Sequence, residues 1–220
     1  MNTLSSPEVA PLLDRLFAEA DAASPLSSPA FAALSPEERT RLMRSKDHYR
    51  DLYTSLKEFA LPVSRETGQL LYILARAAQA RSIVEFGTSF GLSTLHLAAA
   101  LRDNGGGRLI TSEFEPSKVA IAKGNIAAAG LSDLVELREG DALETLKVGL
   151  PESIDLLLLD GAKSLYSDVL ALVEDRLRPG AVIVADNADY CPDYLERVGS
   201  VANGYSTMAF TDDVELSVRL

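Results

Sequence analysis

From Arg81 onward the chain alternates short apolar runs with longer helical ones. SIVEFG is followed by LSTLHLAAALR, RLITSE by PSKVAIAKGNIAAAG, LVELREG by ALETL, IDLLLLD by KSLYSDVLALVEDRL, and AVIVADN closes the series. Alternation of this kind predicts right-handed crossovers and a parallel sheet covered by helices on both faces. IDLLLLD and AVIVADN are almost unbroken in apolar character, as strands buried on both sides require. YSTMAFT and VELSVRL, separated by Asp212-Asp213, predict an antiparallel hairpin at the end of the sheet. The predicted fold class is therefore α/β and Rossmann-like: a seven-stranded, mostly parallel sheet with a C-terminal antiparallel hairpin.

Residues 1–62 have a different texture, rich in Ala, Ser, Pro and charge. Helical patches over Ala10–Ala22, Pro36–Met43 and Asp47–Phe59 are broken by SPLSSP and LSP, which signal turns or helix starts. They read as a helical extension, either a lid or a dimer arm, ahead of a main domain over 63–220. The segment SRETGQLLYILARAAQA then predicts a helix with Ser64 as N-cap and Glu66 in its first turn. Its apolar stripe is Leu70, Ile73, Leu74 and Ala77, expected to pack on the sheet.

Composition narrows the possibilities. The 220 residues, 47% of them hydrophobic, suffice for one main core. The net charge of −11 disfavours a nucleic-acid partner, which needs a positive footprint. The basic cluster Arg39, Arg41, Arg44, Lys46 and Arg50 reads as the wet face of a helix, with contact to an anionic substrate or partner chain as the alternative. No apolar run approaches the roughly 20 residues of a membrane span. No basic-then-apolar leader opens the chain, and Cys191 is the sole cysteine, so a reducing cytoplasm is the expected compartment. His96, among apolar neighbours, reads as a core histidine, and His48 as part of the basic helix. Cys191 and the Tyr190–Tyr194 stretch are expected near an acceptor pocket.

Two features mark the carboxyl ends of the strands. The first strand runs through Glu85-Phe86-Gly87-Thr88-Ser89-Phe90-Gly91 straight into a helix, and Glu113 ends the next strand. Glycines here let the backbone turn and approach a ligand, the helix N-terminus offers free N–H groups, and a strand-end acid can accept both ribose hydroxyls. The spacing G-x-x-x-G, with no phosphate-binding lysine, favours an adenosine-type ligand over a dinucleotide. Gly140-Asp141-Ala142 adds a carboxylate for the adenine amine, and Phe114 can cover the ring.

The second feature is acidic. IDLLLLD ends in Asp160 and AVIVADN in Asp186-Asn187, two carboxylates and an amide oxygen that suit Mg²⁺ and could also accept Mn²⁺ or Ca²⁺. Lys163 follows Asp160 by three residues. Partly desolvated and close to a cation, it is expected to be pushed towards its neutral form and to serve as a general base. Tyr166, one turn further on, is expected to pack rather than react.

The ordered set IVEFGTSFGLST, TSEFEPSKVAIAKGN, GDA, LLLLDGAKSLY and VIVADN resembles the cation-dependent class I O-methyltransferases of the catechol and caffeoyl-coenzyme A type. That resemblance implies S-adenosylmethionine (SAM) as cofactor, with Val63, Glu85, Gly87, Ser93, Glu113, Phe114, Asp141 and Asp160 around it. It implies a divalent cation on Asp160, Asp186 and Asn187, and Lys163 taking a proton from a small-molecule hydroxyl, phenolic or catechol-like. A homodimer is the expected assembly. The chain departs from the pattern in having no tryptophan. Its last loop, Thr211-Asp212-Asp213, looks too short to bring a further carboxylate to the acceptor; Tyr49, Tyr53 and Phe59 are candidates for an aromatic lid, although helix-face packing is their more economical reading. Two alternatives stay open: a metal-independent methyltransferase acting on another nucleophile, and a nicotinamide-dependent oxidoreductase, for which no hydride-transfer pair is visible.

Overall fold

A computed structural model describes residues 2–25 and 29–220, so part of the SPLSSP break lies outside the described residues. The sheet has seven strands: β1 (Ser82–Phe86), β2 (Arg108–Glu113), β3 (Val135–Glu139), β4 (Ile154–Leu159), β5 (Leu177–Ala185), β6 (Tyr205–Ala209) and β7 (Glu215–Arg219). Their order is β3-β2-β1-β4-β5-β7-β6, parallel through β5, with β7 antiparallel to both β5 and β6. The predicted α/β class and hairpin are both present. β5 begins earlier than its apolar run, at Leu177, and its register on β4 shifts between Ile154 and Leu156. Arg178-Pro179-Gly180 occupies that irregular start, where the side chains are largely open to solvent.

Alternate residues of the central strands feed two cores. On one face Ile83, Leu109, Leu156 and Leu158 pack under α1 (Ala10–Ala22), α5 (Arg65–Ala77), α6 (Leu92–Asp103) and α7 (Pro116–Ala128). On the other, Val84, Phe86, Ile110, Leu157 and Ile183 pack under α8 (Ala142–Thr145), α9 (Tyr166–Val173) and α10 (Pro192–Val198). Each fully buried Leu or Ile contributes about 1.5–3 kcal/mol of transfer free energy. Three further helices, α2 (Pro29–Ala32), α3 (Pro36–Met43) and α4 (Tyr49–Ser55), complete the N-terminal segment. Ser35 and Glu38 close a reciprocal capping box on α3. Through Leu12, Leu13, Leu16 and Phe17, α1 joins the main core.

Ser64 caps α5 as the sequence predicts, its hydroxyl accepting from the Thr67 N–H at 3.0 Å. The buried face, however, is Thr67, Gly68, Leu71, Tyr72 and Ala75; of the expected stripe of Leu70, Ile73, Leu74 and Ala77, Leu74 alone packs against the main core, partly buried. Ile73 is 51% exposed. The cause is close helix packing: a Cβ on Gly68 would come within 2.8 Å of the His96 ring, so α5 turns its small residues towards α6 to approach it. His96 is a core residue as expected, its Nδ1 2.8 Å from the Leu92 carbonyl and its ring edge-on to Phe17.

Parallel pairing sends β1, β2, β4 and β5 to a common rim. The ladder continues past the strand ends, the Asp160 N–H donating to the Phe86 carbonyl (2.8 Å) and the Asp186 N–H to the Leu159 carbonyl (2.9 Å). These bonds set Gly87, Glu113, Asp160 and Asp186 at one end of the sheet, where open α/β sheets bind ligands.

Candidate active site

A cavity of about 240 Å³ opens at this rim. Gly87, Ser89, Glu113, Phe114, Lys118, Asp141 and Asp160 form one part of its wall, and Tyr49, Arg50, Tyr53 and Leu61 from the N-terminal segment form another. Gly87 has φ +101°, and a Cβ there would lie 2.5 Å from the Asp160 carbonyl oxygen, so the loop after β1 can cross β4 only with glycine.

Glu113 is buried and fixed from two sides. One oxygen accepts from the Ser89 N–H (2.9 Å) and the other from the Glu115 N–H (3.0 Å), and burial pushes the carboxyl above its ordinary pKa. Ser89 reaches it from a left-handed conformation, φ +48°. Its hydroxyl also accepts from the Leu61 N–H at 3.1 Å, tying the N-terminal segment to the loop.

Three of the expected cofactor residues stand behind the wall. Both oxygens of Glu85 are taken at 2.6 Å, by the hydroxyls of Ser93 and Thr94 in the first turn of α6. Val63 packs in the apolar core. Asp141 reaches the cavity but is committed to protein partners: Oδ1 accepts from the Leu143 N–H at 2.9 Å, capping α8, and Oδ2 pairs with Arg50. Gly87, Glu113, Phe114 and Asp160 face the space directly.

At the acidic rim Asp160 and Asp186 lie close enough for the charge of one to act on the other. The Lys163 amine, 4% exposed, donates to Asp160 Oδ1 at 2.8 Å and to the Tyr166 hydroxyl at 2.9 Å, and lies 3.8 Å from Asp186 Oδ2. Burial alone would push this amine down, yet Asp160, Tyr166 and Asp186 outweigh it and hold the lysine well above its ordinary value. Two carboxylates thus surround one ammonium. The same burial raises both aspartates, Asp160 pushed further by the charge of Glu85 and Asp186 by that of Asp160.

Asn187 takes the left-handed conformation, φ +51°, and its amide nitrogen faces Asp213 Oδ2 at 3.3 Å. Asp213 thus meets Asn187 at this rim but does not line the cavity. The Asp213 carbonyl accepts from the Ala188 N–H at 2.8 Å, and that bond folds the hairpin end over the site. Tyr166 packs, edge-on to Phe86 and Tyr194, but its hydroxyl also holds Lys163. The Asp-x-x-Lys-x-x-Tyr spacing, one face of a helical turn, was the signal for it. Tyr49 and Tyr53 line the cavity and Phe59 does not. Cys191 and Tyr194 lie beneath the site, Cys191 Sγ 3.1 Å from the Lys163 carbonyl, and neither lines the cavity.

A protein-family profile described as a methyltransferase domain matches residues 84–188, from β1 to just past β5. The catechol O-methyltransferase of Niastella koreensis is 40% identical over 139 residues, 60% of this chain and 62% of that protein. Over these stretches the chain is similar to O-methyltransferases. Catechol O-methyltransferase B of Danio rerio is 36% identical over 175 residues, 75% of this chain and 64% of that one. The chain thus spans a little under two thirds of the length of these curated relatives. Among solved structures, the O-methyltransferase TomG of Streptomyces achromogenes, in complex with SAM, superposes with a TM-score of 0.66 at 26% identity, over 91% of this chain and 98% of that one. The Bacillus cereus O-methyltransferase shares the fold, with a TM-score of 0.68 at 24% identity over 93% of this chain and 99% of that one.

Proposed function

We propose that the chain is a SAM-dependent O-methyltransferase that methylates a hydroxyl of a small phenolic or catechol-like molecule, with Lys163 as base and a divalent cation on Asp160, Asp186 and Asn187. The observation that carries this reading is the buried Lys163 amine, held between Asp160 and Tyr166 beside the cavity that Glu113 also faces. SAM brings its own cationic leaving group, so the protein's task is to align an oxygen nucleophile with the methyl group and remove its proton.

The residues fit a hard divalent cation. Asp160 and Asp186 are buried side by side with one ammonium to offset them, and Asn187 turns its amide nitrogen to Asp213, leaving its carbonyl oxygen without a partner among the described residues. No cluster of three or more His, Cys, Asp or Glu side chains forms a cage among the described residues, and the amide oxygen completes the set. A bound cation would lower the pKa of the acceptor hydroxyl and offset the carboxylate charge that keeps the proton on Lys163. Lys163 Nζ is the atom that receives the acceptor's proton. Asp160 and Tyr166 orient it, and Tyr49, Tyr53 and Leu165 offer an apolar surface for a flat acceptor.

A metal-independent reading has one observation in its favour, since the Lys163 ammonium already pairs with Asp160. Turnover of phenols, catechols and acyl-coenzyme A phenolics with labelled SAM, with Mg²⁺ and with excess EDTA, separates the two. We expect transfer that depends on Mg²⁺ and falls about 10²–10⁴-fold in Lys163→Ala with SAM affinity retained. Full activity in EDTA would remove the cation, and unchanged Lys163→Ala turnover would remove the base.

A further inference from the structure

Lys118 stands in the first turn of α7, on the wall of the cavity, and only 3% of its surface is exposed. Among the described residues no hydrogen bond or ion pair closes on its amine. Its Nζ lies over the Phe90 ring, 5.9 Å from the centroid. Buried lysines are almost always paired, because an uncompensated ammonium in a dry site is costly. Burial pushes this amine below its ordinary pKa, and the charges of Glu113, Glu115 and Asp160 oppose the shift without contacting it. Lys118 Nζ is not among the fully buried unpaired polar atoms, so the amine opens to the cavity it lines, and a partner can meet it there.

The chemistry of that partner follows from Glu113. Each Glu113 oxygen already accepts one backbone N–H and, as a carboxylate, can only accept further bonds. A ribose hydroxyl that donates to Glu113 leaves its own oxygen lone pairs unsatisfied, and an ammonium on the neighbouring helix turn can fill them. We propose that Lys118 is a second ribose-binding residue, donating to a hydroxyl oxygen of the adenosine diol whose hydrogens are taken by Glu113. This inference rests on the SAM reading and adds to it a donor that answers the acceptor: the vicinal diol is held by an acid and an amine together.

Lys118→Met keeps the length of the side chain and deletes the charge. Calorimetric titration with S-adenosylhomocysteine should show affinity reduced about 10- to 100-fold, the worth of one charge-assisted hydrogen bond. For an analogue lacking the ribose hydroxyls, wild type and variant should bind alike. Turnover at saturating SAM should hold within about twofold of wild type, as for lost ground-state binding. The ligand-free variant should melt no lower than wild type, since an unpaired buried charge has gone; a purely structural lysine would lower that melting temperature. Equal affinity of wild type and variant for S-adenosylhomocysteine overturns the inference. An equal loss for the deoxy analogue also overturns it, because the amine then serves another group. A wild type that binds no S-adenosylhomocysteine overturns the cofactor reading itself, and this inference with it.

Discussion

The Tyr166 hydroxyl accepts a hydrogen bond from the Lys163 amine at 2.9 Å and donates its own to the Asp186 carbonyl at 2.6 Å. With its one hydrogen committed to Asp186, the tyrosine can only accept from the lysine, so it aims the amine without competing for the proton. Lys163 is thereby referenced to β5 as well as to β4. In Tyr166→Phe the amine retains Asp160 but loses this second anchor, and the Asp186 carbonyl loses its donor. Turnover should fall about 10- to 100-fold through misplacement of the base, with the KM for SAM little changed. Steady-state kinetics over both substrates checks this, and an unchanged kcat would reduce Tyr166 to a packing residue.

Arg50 and Asp141 join α4 to the start of α8 across the mouth of the cavity, and Lys46–Asp168 makes a second link from the same segment. The contacts are surface ion pairs, so they should matter for closure more than for global stability. Arg50→Met should leave the melting temperature where it is, speed amide exchange in residues 44–61, and raise the KM for SAM. Exchange unchanged in that stretch would show that Tyr49, Tyr53 and the Leu61–Ser89 bond hold the segment by themselves.

Asp213 orients Asn187, and residues that orient metal ligands typically tune affinity about 10- to 100-fold. If the cation reading holds, Asp213→Ala should raise the Mg²⁺ concentration for half-maximal activity by about 10-fold or more. A magnesium titration of both proteins decides it, and superimposable curves would take Asp213 out of the site.

Two glycines give opposite expectations. Gly87→Ala meets both a positive φ and the Asp160 backbone at 2.5 Å and should cost about 2–4 kcal/mol in urea unfolding. Gly124→Ala, mid-helix in α7 with open space around it, should stabilise by about 0.5–1 kcal/mol.

Asp103 anchors the N-terminus to the core. It accepts from the Thr3 hydroxyl (2.6 Å), the Thr3 N–H (3.0 Å) and the Tyr72 hydroxyl (2.7 Å), with Arg76 at 3.5 Å. Burial pushes its carboxyl up, but these donors outweigh burial and leave the folded value below the ordinary one. A depressed carboxylate stabilises the fold above its unfolded pKa, near 4, and that stabilisation is lost as pH falls through the lower folded value. Asp103→Asn should therefore cost about 1–3 kcal/mol at pH 7, with the gap to wild type narrowing below about pH 4. A constant gap in denaturant titrations across pH would show that packing, not charge, sets the effect.

The sheet was legible in the sequence because its central strands are buried on both faces, which leaves unbroken apolar runs, and because each ends in a residue that serves the rim: Gly87, Glu113, Asp160, Asp186. Helix α5 was legible as an element but not in its facing. Periodicity gives an apolar stripe, whereas the closeness of Gly68 to His96 decides which side can approach, and that contact joins residues 28 apart. The same limit held at the site. The type and spacing of Asp160, Lys163, Asp186 and Asn187 pointed to one chemistry, while the charge state of Lys163 depends on how many carboxylates surround it. Lys118 carries no signal of its own, and Arg50 and Asp213 read as part of a wet helix face and of a short loop, because a charged residue looks the same in sequence whether solvated or buried. Only the packing of a helix turn, an N-terminal strap and a hairpin end around one rim brings them to it, because desolvation and proximity arise when distant segments meet.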